Sequence, residues 1–205
     1  MESSADRWAL AEFGPTRLGD TRLTRRVVAL AAGLAKRPSG VVARTVVEPS
    51  AREASYRLLE NDKVSGTAVA EAMFEATASR CRGLHFVFVA TDGSSVAIAD
   101  ERRRRGTGPV GTHDRGARGF QMMSALAVAP DGTPLGLCAQ EWWARDEERK
   151  TRPQKDRRRA DDKETVRWVH ALATARRSLV LTVLSAAEPP KRDQRSSKIP
   201  TRGQA

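Results

Sequence analysis

Leu84-His85-Phe86-Val87-Phe88-Val89-Ala90-Thr91-Asp92 is a nearly unbroken apolar run that stops at a carboxylate. Gly93-Ser94-Ser95 follows, and a second apolar segment covers Val96 to Ala99. Runs of this length, rich in Val and Phe and bounded by small polar residues, read as strands buried in a sheet. The sequence therefore predicts a strand ending at Asp92, a bend at Gly93, and a second strand. On these residues alone two readings of Asp92 stand side by side. It is a turn aspartate beside a flexible glycine, or it is a carboxylate held at a strand end, suited to a hard cation such as magnesium.

The chain of 205 residues is long enough to bury a core in one or two domains. No apolar run approaches the length of a membrane span, and the N-terminus has no signal-peptide pattern. The two cysteines, Cys81 and Cys138, are far apart and form no metal-binding or disulfide framework, so a reducing cytoplasm is expected. Net charge is +11, which favours a polyanionic partner, nucleic acid being the commonest. That charge is uneven. Residues 1–80 carry 12 basic and 10 acidic side chains, whereas residues 81–205 carry 24 and 15. Nine of the eleven net positive charges thus lie in the second part.

Residues 1–80 read as helical. Asp6 is a candidate cap for a short helix through Trp8, Leu10 and Phe13 that Gly14-Pro15 ends. A longer helix is expected from Asp20 to Lys36, because Leu23, Val27, Leu30 and Leu34 recur at helical spacing. Arg22, Arg25 and Arg26 lie near its start and off that stripe. Val41 to Val47 reads as an extended arm. Ser50 to Glu53 has the form of a capping box, and Ser65 is a candidate cap for a helix bearing Val69, Met73 and Ala76. Short helices with outward arginines suit phosphate contacts. A plain helical bundle with a charged surface has the same pattern.

Downstream, Arg102 to Arg105 are four arginines in a row, and a Gly-rich loop is expected from Gly106 to Gly119. Gln121–Ala129 and Leu135–Ala139 read as a hairpin around the turn signal Pro130-Asp131-Gly132-Thr133-Pro134. Arg145 to Asp162 is dense in both charge signs and reads as a loop. Asp161 to Glu164 resembles a cap for a helix ending at Arg176-Arg177. Leu179–Leu184 is expected as a short strand, and a basic, disordered tail covers residues 185–205.

Taken in order, these pieces resemble the N-terminal part of a DNA transposase of the insertion-sequence-four family, in its Tn-five-like branch. The resemblance spans residues 8–177. It rests on Leu18-Gly19-Asp20 with Arg22 and Arg26, on Leu34-Ala35-Lys36, and on Ala54-Ser55-Tyr56-Arg57 with Asn61 and Val64-Ser65. It continues through the strand reaching Asp92, Arg118-Gly119-Phe120, Ser124-Ala125-Leu126, and Gly132 with Leu135-Gly136. Gln140-Glu141-Trp142-Trp143 with Arg145, and Lys163-Glu164 with Arg167-Trp168, complete it.

The resemblance implies an α+β chain. A helical DNA-binding domain, residues 1–80, would be followed by an incomplete ribonuclease-H-like α/β catalytic domain over residues 81–184. It implies double-stranded DNA, the transposon's terminal inverted repeats, as partner, and it involves no membrane. Arg22, Arg26, Lys36, Tyr56 and Arg57 fall on positions resembling the family's DNA contacts. Asp92 falls on the first of three catalytic carboxylates that hold two magnesium or manganese ions, which favours the metal-ligand reading.

The departures are specific. Met123 stands where many relatives have histidine. No Asp-Arg-Glu motif follows Leu179–Leu184, and the helix with the catalytic glutamate is missing from the sequence. The expectation is a truncated transposase, its tail after Ser178 of unrelated character as from a frameshift. Such a chain would be catalytically defective. It would act as a DNA-binding inhibitor of the full-length transposase, or it would be the unstable product of a decayed gene.

Overall fold

The computed structural model describes residues 3–99, 106–111, 117–145 and 164–185. Within them the chain is α+β: five helices, then an antiparallel sheet, then a long helix. No helix among them is long and apolar enough to cross a membrane. The Arg102–Arg105 run, the 146–162 loop and the 186–205 tail lie outside the described residues, as does all but the end of the Asp161–Glu164 cap.

Helix α1 (Ser4–Phe13) is capped by Ser3, not by Asp6. Asp6 sits at the third helical position and returns the bond, its carboxylate accepting from the Ser3 amide at 3.0 Å while its own amide donates to Ser3 Oγ. This is a capping box one turn earlier than expected. Helix α2 (Thr21–Lys36) begins as predicted, with Asp20 accepting from the Arg22 amide at 2.8 Å. Leu23 and Val27 are buried against Leu58, with Phe13, Leu18, Leu30, Val64 and Val69 packed around them. Leu34, the last of the predicted stripe, drifts to the surface.

The expected extended arm is instead interrupted by a helical turn, α3 (Val42–Thr45). The buried Thr45 explains it, because its hydroxyl donates back to the carbonyls of Arg37 and Val41. Helix α4 (Pro49–Leu59) also starts earlier than the Ser50 box predicts. Pro49 lacks an N–H and has the backbone angle a first helical residue needs. Glu48 therefore becomes the cap, its carboxylate accepting from the Ser50 and Ala51 amides at 3.0 and 2.6 Å. Glu53 is left to pair with Arg57 one turn on. Helix α5 (Gly66–Cys81) is capped by Ser65 as expected.

The two apolar segments around Asp92 are one strand, β1 (Phe88–Ala97), and Asp92 lies in its middle. Neither the strand end nor the bend at Gly93 exists. In the predicted Gly-rich loop, Gly108–Pro109 form a short strand β2. Strand β3 (Arg118–Val128) pairs antiparallel with β1, with β2 at its start, and with β4 (Pro134–Trp143). The β3–β4 turn is the one the sequence marks. Asp131 accepts from the Thr133 amide, and Gly132 takes φ +89°, which a side chain would resist.

Helix α6 (Glu164–Ser185) continues past Arg177 through the region expected as a strand. A short β-branched run does not separate strand from helix by composition alone. Packing decides it. Ala171 and Ala175 are buried one turn apart, and Leu179, the next turn on, packs on the sheet core with them. Helices α5 and α6 both pack on the sheet. They cover the face of Ala125, Ala127, Cys138 and Ala139. Burial in this small core pushes the Cys138 thiol up to about 11. Gly136 brings β4 against α5: a Cβ there would lie 2.4 Å from Thr77 Oγ1 and 2.6 Å from the Arg80 guanidinium. α5, within the expected domain 1–80, thus packs on the sheet as well.

Candidate nucleic-acid interface

Helix α4 docks on α2 through Leu58, between Leu23 and Val27, which leaves the polar faces of both helices outward. Arg22 and Arg26 are one turn apart on α2 and exposed, so their guanidinium groups share one side of the helix. Arg22 leans toward its own capping residue, its Nε 3.8 Å from Asp20. Arg26 has no bonded partner among the described residues. On α4, Tyr56 and Arg57 are exposed, and Arg57 pairs with Glu53 at the surface. Such exposed pairs are weak and exchange readily for a phosphate.

Lys36 differs from the other four. Its Nζ donates to Asp6 of α1 at 2.6 Å. That bond, with Ser3, holds the Asp6 carboxyl down to about 2. Lys36 thus ties α1 to the end of α2 before any DNA arrives. The start of α4 is also closed. The Glu48 carboxylate occupies the free amides, held below the usual carboxylate range first by the Ser50 hydroxyl and then by the Ala51 amide. A phosphate is excluded from that helix end, which otherwise suits one.

Asp92 is placed differently from all of these. Its cross-strand partner is Ser124, and Ser124 in turn is opposite Gln140. The three form a polar stripe across the sheet face turned away from α5 and α6. Gln140 donates to Ser124 Oγ at 3.3 Å and accepts from Trp142 Nε1 at 3.0 Å, while the Ser94 hydroxyl donates to Asp92 at 3.5 Å. Around the stripe the face is apolar and open. Phe88, Val96 and Trp142 are exposed on it, with Met122, Leu126 and Val128 half-buried. Met123 points the other way and is buried beneath Gly93. Among the described residues no three of His, Cys, Asp or Glu come together as a cation site.

Two features had no clear signal in the sequence. Glu12 of α1 is buried and bonded by Arg80 of α5. Glu141 on β4 is paired with Arg167 on α6, whose guanidinium carbon lies 5.4 Å from the Trp143 ring centre. Both ion pairs join residues far apart in the chain, and no local pattern marks them.

A small helical bundle that turns arginines and a tyrosine outward, joined to an antiparallel sheet, has the character of a nucleic-acid-binding unit. Residues 5–64 match the family model for transposase DNA-binding. The match covers α1 through α4 and stops just before α5. It supports a transposase-related DNA-binding role for the N-terminal helical region, with DNA as partner.

Proposed function

We propose that this chain binds the ends of an insertion element, its helical segment gripping the terminal inverted repeats of double-stranded DNA. The family match over residues 5–64 is the observation that carries this reading. The outward Arg22, Arg26, Tyr56 and Arg57 support it. We assign the chain to the insertion-sequence-four family, Tn-five-like branch, and read the β1–β3–β4 sheet backed by α6 as part of a ribonuclease-H-like unit.

In that unit Asp92 is the candidate metal ligand. Phosphoryl transfer by two magnesium or manganese ions needs several carboxylates around the ion pair. Here the residue opposite Asp92 is the neutral Ser124, with the neutral Gln140 one strand further on. Such a donor set does not fit two cations, so we expect no strand cleavage by this chain alone. A chain that occupies DNA ends without cutting them would compete with a full-length transposase.

The test is fluorescence anisotropy with a terminal-repeat duplex and a scrambled duplex at moderate salt. We expect at least a roughly tenfold preference for the repeat, which is about what a single mismatched base pair costs in specific recognition. Equal affinity for the two would sink the reading, since phosphate contacts alone carry no sequence information.

A further inference from the structure

The chain's positive charge and its family-matched segment do not coincide. Residues 1–80 are nearly neutral, and nine of eleven net charges follow them. Of those nine, a net two fall on the described residues, where six arginines stand against four carboxylates beyond residue 80. Three of the six described arginines beyond residue 81 are engaged. Arg118 is bonded to Thr107, Arg145 also has a partner, and Arg167 is paired with Glu141.

Arg177 on α6 is in a different position. It is exposed, and its guanidinium donates to the Thr174 hydroxyl at 2.9 Å. His170, Thr174 and Arg177 lie at spacings of four and three, one stripe along the helix. That stripe forms a wall of a cavity of about 390 Å³, whose other wall is β4 at Ala139, Gln140 and Glu141. Ala171 and Ala173 give it room because their side chains are short. The one acid lining it among the described residues, Glu141, is already paired with Arg167. The charge the cavity offers is therefore that of Arg177, beside a histidine and a hydroxyl. β4 pairs with β3 on one side, and the outer edge of such a strand presents backbone N–H groups as further donors. A guanidinium, a hydroxyl and an imidazole along one wall suit a tetrahedral anion carried on an extended chain.

We propose that the cleft between β4 and α6 is a second DNA contact, in which Arg177, Thr174 and His170 hold the phosphodiester backbone. It deepens the DNA-binding reading and rests on it. The site has no base-reading geometry of its own, so its contribution is affinity regardless of sequence.

The experiment is anisotropy of the full chain with a duplex across a salt series, comparing wild type, Arg177→Ala, the His170→Ala/Arg177→Ala double variant and Arg82→Ala. Arg82 is an exposed arginine outside the cleft and serves as control. Loss of one phosphate contact should lower the slope of log affinity against log salt by about 1. We expect Arg177→Ala to bind roughly three- to tenfold more weakly at low salt, on repeat and scrambled duplex alike, with the double variant weaker still. An unchanged thermal transition separates this from misfolding. Binding by Arg177→Ala equal to wild type, or an equal loss in Arg82→Ala, overturns the cleft while leaving the helical segment's role standing. A wild-type chain that binds no duplex overturns both.

Discussion

Glu12 of α1 and Arg80 of α5 are joined by two hydrogen bonds, 2.7 and 3.0 Å long, across 68 residues of sequence. The same guanidinium donates to the Leu135 carbonyl of β4 and to Thr77 Oγ1. One side chain thus ties the first helix of the DNA-binding segment, the helix that follows that segment, and the sheet. The pair raises the Arg80 guanidinium above its ordinary range, the Glu12 bond being the main cause. It adds a polar tie to the packing of α5 on β4 and of α1 on α5.

The two halves of this pair should not be equally costly to remove. Glu12 is only 4% exposed, while the Arg80 side chain is 39% exposed. Arg80→Ala leaves a buried carboxylate without a partner, and we predict a loss of about 2–4 kcal/mol. Glu12→Ala leaves a guanidinium that water can reach, and we predict about 1–2 kcal/mol. Urea midpoints measure both. Equal midpoints for the two variants would show that burial of Glu12 does not decide the cost.

The Asp6–Lys36 bond predicts an acid limb in stability. The Asp6 carboxyl is lowered from 3.8 to about 2, chiefly by the Lys36 bond and then by Ser3. Its folded pKa lies below its unfolded one. The stabilisation is therefore fully present above about pH 4, where both states are ionised. It is lost as the pH falls toward 2 and the folded carboxyl takes up its proton. Asp6→Asn should flatten this part of the stability profile between pH 4 and pH 2 and leave the profile above pH 5 parallel to wild type. Thermal melts over that range test it. An unchanged acid limb in Asp6→Asn means other carboxylates carry it.

The helices were legible because their signals are local. The α2 stripe from about Asp20 and Ser65 as the cap of α5 lie close in sequence to the residues they organise. The β3–β4 turn is written in Pro130 to Pro134 in the same way. What the sequence hid was non-local. Asp92 read as a strand end because Gly93-Ser94-Ser95 looks like a bend, yet pairing with Gln121 to Ser124 of β3 holds that stretch extended. Leu179–Leu184 read as a strand because nothing local shows that Ala171, Ala175 and Leu179 share a face against the sheet. The residues expected to contact DNA lie on the surface, but only the structure separates the unbonded Arg26 from the engaged Lys36.

That separation gives a ranking in binding. Arg26 is exposed and unbonded among the described residues, whereas Lys36 must first leave Asp6. We predict that Arg26→Ala weakens duplex binding by about 1 kcal/mol or more and reduces the salt slope by about 1. Lys36→Ala should change the slope less and affect the α1–α2 junction instead, seen as a lower melting temperature. Anisotropy across a salt series and thermal melts of the two variants read this out. A slope lowered as much by Lys36→Ala as by Arg26→Ala would place Lys36 on the phosphates after all.

The open sheet face predicts a solubility effect without a stability effect. Phe86, just before β1, and Phe88, its first residue, are 55% and 56% exposed and meet edge to face at 5.4 Å, and among the described residues β1 pairs with β3 alone. An exposed apolar edge strand invites association with other chains. A side chain half in water contributes little to the fold beyond its ring contact, which is worth about 1 kcal/mol. Phe86→Ser with Phe88→Ser should therefore keep a cooperative melt within about 1 kcal/mol of wild type. It should also raise the protein concentration at which light scattering begins. If the double variant instead lost more than about 2 kcal/mol, comparable to emptying a core site, the two rings would have to be covered in the folded chain.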